Sequence, residues 1–255
     1  MKKTSILLVF CFVLSLALTS CAQAKVKRYS VRVVKEYPHD VASFTQGLFF
    51  VDGSLYESTG MNGESTFRKV NLSDGKAERK FDFSRKYFVE GSVVLGNSLY
   101  ILTWQNKVAF VYDFPSLKYR CTVSYPREGW GLTTDGTNLI ASDGSSSLFF
   151  MDKDFKTVRN VTVKLNGRTM SNLNELEYVD GKVYANVYMT DLILIINPSS
   201  GNVEGTIDCT GLLSPSLRTA DTDVLNGIAY DGKTKKLYFT GKYWPRLFEV
   251  SLVEK

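Results

Sequence analysis

The stretch FVEGSVVLGNSLY, residues 88–100, reads as a short apolar strand, a Gly-Asn turn and a second strand, which is the pattern of a β-hairpin. Its outline returns four times: FTQGLFFVDGSLY (44–56), EGWGLTTDGTNLI (128–140), RTMSNLNELEYVDGKVY (168–184) and LNGIAYDGKTKKLY (225–238). The register is tight. From Gln46 to Tyr56, Glu90 to Tyr100, Trp130 to Ile140 and Asn174 to Tyr184 the step is ten residues, and from Asn226 to Tyr238 it is twelve, the excess falling at the turn residues 233–236. Turns are where repeat architectures absorb insertions.

Further strands follow each hairpin, among them VAFVYDF (108–114), SLFFMDKD (147–154) and LILIINP (192–198), and then an alternating outer strand such as TVRNVTVKL (157–165). Four antiparallel strands per unit, five units and no helical periodicity predict an all-β, five-bladed β-propeller. The last unit stops before an outer strand. The alternating segment 29–37 (YSVRVVKEY) is expected to supply that strand from the N-terminus, closing the fifth blade and removing an open sheet edge, so that 29–255 forms a single domain.

Repeats around an axis bring equivalent positions onto one ring. The position at the head of each hairpin holds Gln46, Glu90, Trp130, Asn174 and Asn226, and the position four residues after the conserved-register Tyr or Ile holds Gly60, Trp104, Gly144, Tyr188 and Lys242. In an antiparallel hairpin the start of one strand and the end of the next share an end. Both columns therefore open onto one mouth, where one carboxylate, one ammonium and three amides meet the aromatics Phe44, Phe88, Trp104, Trp130 and Tyr188. That mix is the usual make-up of a small-ligand pocket. Its most singular member is Glu90, the only acid in its column.

Composition narrows the chemistry. The 255 residues, 44% of them hydrophobic, can bury a full core, and the net charge of +5 falls to +3 without Lys2 and Lys3, with no Lys/Arg block longer than two; nucleic acid is not an expected partner. His39 is the only histidine, in a setting (37–40, YPHD) that reads as a turn, so His-based triads and His-rich zinc sites lack their parts. Phosphate-loop and dinucleotide fingerprints are absent. Glu175, Asn174, Asn226 and Glu90 form an oxygen-rich set that calcium could use, which keeps a calcium-dependent, lactonase-like hydrolase open as an alternative, beside a non-catalytic envelope protein binding peptides or glycans.

Residues 1–20 read as an export signal: two lysines, an apolar run over 6–18 and small residues leading to Cys21. The ending LTSC resembles a bacterial lipobox, in which Cys21 is lipidated and heads the mature chain, with 21–28 as a tether; Ala22 behind it directs the protein to the outer membrane, facing the periplasm. Cleavage near Ala22 or Ala24 as an ordinary signal peptide is the other reading. Cys121 and Cys209 remain, in non-adjacent units, and are expected to be buried free thiols. A monomer is expected.

The motifs FTQGL, YESTG, EGWGLTTDG, LNELEYVDG, VLNGIAYD and FTGKYWPRLFEV resemble those of the plant-type and bacterial glutaminyl-peptide cyclotransferases over almost all of 37–250. The resemblance implies a five-bladed propeller that converts N-terminal glutamine of peptides and proteins to pyroglutamate with release of ammonia, without a metal or other cofactor. It also implies that Glu90, Asn174 and Lys242 are catalytic, and that Phe44, Gln46, Phe88 and Trp130 line the substrate pocket, to which the ring register adds Trp104, Tyr188 and Asn226. The plant enzymes carry tryptophan where this chain has Tyr188, which marks that wall as the place where substrate preference departs.

Overall fold

The computed structural model describes residues 25–255. The expected signal peptide, the lipidation site Cys21 and the first half of the tether lie outside the described residues. β1 (Lys27–Pro38) precedes the first repeat, which forms β2 (Thr45–Val51), β3 (Ser54–Thr59), β4 (Thr66–Val70) and β5 (Ala77–Asp82). The second forms β6 (Val89–Leu95), β7 (Ser98–Thr103), β8 (Val108–Asp113) and β9 (Lys118–Ser124), and the third β10 (Leu132–Thr134), β11 (Leu139–Ala141), β12 (Ser147–Met151) and β13 (Thr157–Thr162). After a small hairpin, β14 (Lys164–Leu165) and β15 (Arg168–Thr169), come β16 (Leu173–Val179), β17 (Lys182–Val187), β18 (Leu192–Ile196) and β19 (Val203–Asp208), and finally β20 (Leu225–Asp231), β21 (Lys236–Gly241) and β22 (Arg246–Glu254). One 3-10 turn, Pro215–Leu217, is the sole helical element among the described residues, so the protein is all-β.

Local chemistry sets the hairpins. Asp52-Gly53 and Asp180-Gly181 take positive φ at both positions (50° and 76°; 44° and 84°), the conformation of the two-residue turn whose twist matches paired strands. The longer turn after Asp231 is tied by the Thr234 hydroxyl and the Lys233 amide, which both donate to the Asp231 carboxylate.

Three repeats form separate four-stranded antiparallel sheets, while the fourth and fifth merge into one eight-stranded sheet ordered β16-β17-β18-β19-β1-β22-β21-β20. β1 is the joint. It runs antiparallel to β22 from Tyr29↔Glu254 to Pro38↔Arg246, in the outer position left vacant by the last repeat, and its first residues also pair parallel to β19. The strand begins at Lys27, two residues before the span expected from its alternation, because that parallel pairing recruits Lys27 and Arg28.

Inner strands are buried almost throughout, and outer strands such as β5 and β9 are exposed. The inner strands touch in the order β2, β6, β10, β16, β20 and back to β2. Apolar layers fill the wedges between sheets: Phe49 and Phe67 meet Ile101 and Phe110, and Val93 and Tyr100 meet Leu132 and Leu139. Each such side chain contributes roughly 1.5–3 kcal/mol by leaving water. Near the axis the strands approach so closely that a Cβ on Gly91 would strike Leu132 N and lie 2.6 Å from Trp130 O. Three other repeats also place glycine directly after the ring residue (Gly47, Gly131, Gly227), whereas the fourth places Glu175 there.

Two expectations need correction. The outer strand read over 157–165 stops at Thr162. Val163 is buried with its amide bonded to Ser146 O, and the chain then turns away as β14 and β15 around Asn166-Gly167, both in the left-handed region. Both cysteines are free, but only Cys209 is buried; Cys121 is exposed on the outer strand β9.

Candidate active site

At the mouth the hairpins are not regular. Pairing register slips between Thr45 and Gly47, Val89 and Ser92, Leu173 and Leu176, and Leu225 and Ile228. Gln46, Glu90, Asn174 and Asn226 lie inside these four irregularities. A β-bulge bends its strand and re-aims a side chain, and here it turns polar residues off the sheet face and toward the axis. Nothing in the spacing of the repeats revealed the bulges, although Gly47, Gly91 and Gly227 behind three of the ring residues are a sequence sign of them.

The side chains enclose a cavity of about 250 Å³. Nine of the ten expected pocket residues line it: Phe44, Gln46, Phe88, Glu90, Trp104, Trp130, Asn174, Tyr188 and Lys242. Asn226 does not. It is fully buried behind the wall, where its Nδ2 donates to Thr45 O (2.8 Å) and to Gln46 Oε1 (3.2 Å). Its work is to hold Gln46, leaving the Gln46 Nε2 to face the cavity.

The aromatic wall is built from edge contacts. Phe44 meets Phe88 with ring centroids 5.9 Å apart, and Phe88 meets Trp104 at 5.5 Å; Trp130 meets Tyr188 at 5.6 Å. Two glycines of the second column make room for it. A Cβ on Gly60 would collide with the Phe88 ring, and one on Gly144 would come within 2.7 Å of the Trp130 indole. Glu128, which the repeat register did not single out, accepts hydrogen bonds from both indole N–H groups, Trp104 at 2.9 Å and Trp130 at 3.3 Å.

The polar groups on the wall are notable for what they lack. Glu90 (4% exposed), Asn174 (3%) and Lys242 (3%) are buried, yet among the described residues no side-chain hydrogen bond or salt bridge satisfies any of them. Buried polar groups are normally paired. Burial pushes the Glu90 carboxyl well above the ordinary carboxylate range; Lys242 pulls it back and Glu128 pushes it further up. Burial lowers the Lys242 ammonium, with Glu90 and Asp223 opposing. Its Nζ lies 4.4 Å from the Phe44 ring centre and 5.1 Å from that of Tyr188, so two π faces replace a counter-ion.

A second shell fixes the segments that carry Phe44 and Lys242, and here His39 proves to be more than part of a turn. Buried, its Nδ1 donates to Trp244 O (2.7 Å) and its Nε2 to Glu57 Oε1 (3.0 Å). Burial disfavours the imidazolium, but Glu57 and the two acceptors raise the His39 pKa, and His39 and Arg68 hold Glu57 down against its own burial. Ser43 O accepts from Tyr243 N (2.7 Å) and Pro245 O from His39 N (3.1 Å), so residues 39–44 and 242–245 are stitched together.

The oxygen set that calcium would have used is not assembled. Glu175 lies off the cavity wall, and its two oxygens accept from Leu48 N (3.3 Å) and Ile228 N (2.8 Å) on neighbouring inner strands. Among the described residues no three His, Cys, Asp or Glu side chains gather as a candidate metal site.

The comparisons with known proteins bear directly on this pocket. The model of the glutamine cyclotransferase family matches residues 6–252. A glutaminyl-peptide cyclotransferase of Arabidopsis thaliana is 41% identical over 227 residues, which span 87% of this chain and 71% of the plant protein. The crystal structure of Myxococcus xanthus glutaminyl cyclase superposes with a TM-score of 0.85 at 35% identity, covering 91% of this chain and 100% of that one.

Proposed function

This chain belongs to the glutamine cyclotransferase family and carries glutaminyl-peptide cyclotransferase activity, and we propose that Glu90, Asn174 and Lys242 perform the reaction inside the aromatic cavity. The observation that carries this reading is the set of three buried polar side chains without protein hydrogen-bond partners around one cavity. A bound N-terminal glutamine offers them an amine, a carbonyl and a departing amide nitrogen.

In the reaction a bond forms between the α-nitrogen and the side-chain amide carbon Cδ, and the bond from that carbon to the amide nitrogen breaks. One proton leaves the attacking nitrogen and one joins the departing NH₂ to give ammonia. Phe88, Trp104, Trp130 and Tyr188 hold the side chain folded so that amine and amide meet, an advantage that water cannot offer. Glu90, its proton affinity lifted by burial, takes the first proton and returns one to the leaving group. Asn174 Nδ2 and the Lys242 ammonium stabilise the side-chain amide oxygen as it gains charge. The Gln46 Nε2, its Oε1 occupied by Asn226, orients the peptide beside Glu90.

The same reading takes the five inner strands as the innermost strands of five blades, with β1 as the outer strand of the last and 29–255 as one monomeric domain. The cyclic order of the inner strands and the superposition on the Myxococcus enzyme support the ring and the single domain. For residues 1–28 the proposal is a cleaved leader and a lipid anchor at Cys21 on the periplasmic side of the outer membrane, supported by the leader's own sequence. Replacing Cys21→Ser should release the protein from membranes, and persistent membrane association would count against the anchor.

The decisive assay is a peptide beginning with glutamine, incubated with protein in the presence of a chelator and followed by mass. Loss of ammonia with chelator present is the expected result. Turnover that the chelator abolishes would restore the calcium-dependent alternative, and no turnover under any condition would leave a binding protein.

A further inference from the structure

The aromatic wall is not continuous on its own. Phe44, Phe88 and Trp104 form one arc and Trp130 and Tyr188 another. Lys242 bridges one gap between them by lying over both Phe44 and Tyr188. The other gap is bridged by one carboxylate oxygen: Glu128 Oε2 accepts from the Nε1–H of Trp104 (2.9 Å) and of Trp130 (3.3 Å), with Gln105 Nε2 at 3.5 Å from its other oxygen. Its neighbour Gly129 donates to Thr103 O and Trp104 O, which fixes the loop against the end of β7. The pocket is thus a ring of aromatic edges clasped by one cation and one anion, with Glu90 facing the space between.

We propose that Glu128 is a positioning residue for the cyclisation: its carboxylate closes the substrate wall by holding the Trp104 and Trp130 indoles, and its negative charge acts on Glu90 across the cavity. The proposal rests on the cyclase reading for its kinetic consequences and on hydrogen-bond geometry alone for the clasp.

Charge-assisted bonds from two indoles to one carboxylate fix both rings more firmly than packing does. The position is also suited to electrostatic control. The charged groups that face Glu90 are Lys242, at the end of β21, and Glu128, in the loop before β10; Gln46, Trp104, Trp130 and Asn174 on the adjoining strands are neutral, and the Tyr188 phenol is the remaining titratable neighbour. Lys242 favours the ionised form of Glu90 and Glu128 the protonated one. Their opposition sets the balance between the two protonation states of the carboxyl. Glu128 is partly exposed, behind the two indoles that it holds.

Two variants separate the two roles. Glu128→Gln keeps an acceptor oxygen and loses the charge; Glu128→Ala loses both. In both, the acid limb of the kcat/KM profile should move to lower pH, because removing a negative neighbour lowers the proton affinity of Glu90. In Glu128→Ala, but much less in Glu128→Gln, KM should also rise about tenfold for the loss of the two bonds. Tryptophan emission gives a readout independent of turnover. Of the three tryptophans, Trp244 is buried with its indole bonded to Asp223 O, so a red shift in Glu128→Ala reports Trp104 and Trp130. An unmoved acid limb in both variants would overturn the electrostatic role, and unmoved emission in Glu128→Ala would overturn the clasp. Should the alanine variant fail to fold, the pH profile of Glu128→Gln still decides. Wild-type protein without turnover would overturn the cyclase reading instead, and the emission arm would still judge the clasp.

Discussion

Glu90 and Glu175 sit one register position apart on inner strands of the same ring, and both are buried carboxyls whose proton affinity burial raises well above the ordinary value. Their partners differ completely. Each Glu175 oxygen accepts a backbone N–H from another repeat, Leu48 on β2 and Ile228 on β20, so this carboxyl replaces ladder bonds that the converging strands cannot make with each other. Glu90 receives no such bond and faces a cavity. Burial alone therefore does not distinguish a reactive acid from a structural one. The inventory of hydrogen bonds does, because both Glu175 oxygens are held by backbone amides away from the cavity while those of Glu90 have no protein donor.

The contrast can be broken most forcefully at Glu90. Glu90→Gln should lower kcat by about 10²- to 10⁴-fold, the usual worth of a general acid–base group, while the urea midpoint stays within error; a variant with wild-type kcat would sink the assignment. At Glu175 the expected result is the reverse. Glu175→Ala strands two buried amides and should cost about 2–6 kcal/mol of stability at roughly 1–3 kcal/mol per group, read as a lower urea midpoint, with the substrate KM of the folded fraction preserved. Lost activity at unchanged stability would invert the comparison.

A pH titration sharpens it further. Glu177 lies two residues on, with one carboxylate oxygen accepting from Tyr230 N and the other from the Thr133 hydroxyl, and burial lifts it from 4.5 to about 8. A carboxyl that holds its proton more tightly when folded contributes stability that is complete below its unfolded value and is lost as pH rises toward the folded one. Stability should therefore fall between pH 4.5 and about 8, the opposite of the usual acid denaturation, and Glu177→Gln should flatten the slope. A profile that rises with pH and is unaffected by the substitution would show that the axial carboxyls stay ionised. The smallest effect belongs to the mouth: Tyr188→Trp should change KM about two- to fivefold among glutamine peptides of differing second residue, with stability unmoved. Equal KM changes for every second residue would remove Tyr188 from the choice of substrate.

Much of this site was readable because the repeat register is a geometric statement. Ten positions in two columns and their flanking aromatics were enough to place nine side chains on one cavity. The misses share a cause. Asn226 occupies the right column, but a residue type does not disclose which neighbour it satisfies, and Thr45 O and Gln46 claim its amide. Glu128 stands at the head of the third repeat, outside both columns, and acts through a loop that follows no period. His39 looked like a turn residue because its acceptors, Trp244 O and Glu57, are distant in sequence or hidden on another strand. Cys121 looked buried by residue type, yet it falls on an outer strand.

The pairing of β1 with β22 carries a consequence for how the molecule comes into being. Tyr29 finds Glu254 and Pro38 finds Arg246, so the first strand synthesised must wait for the last before its main partner exists. Long-range pairings of this kind are entropically slow to form. Until residues 246–254 arrive, β1 is an unpaired edge open to adventitious strand addition. A ribosome stalled before that point would release a chain with every side chain of the pocket already made and no means of latching its two ends.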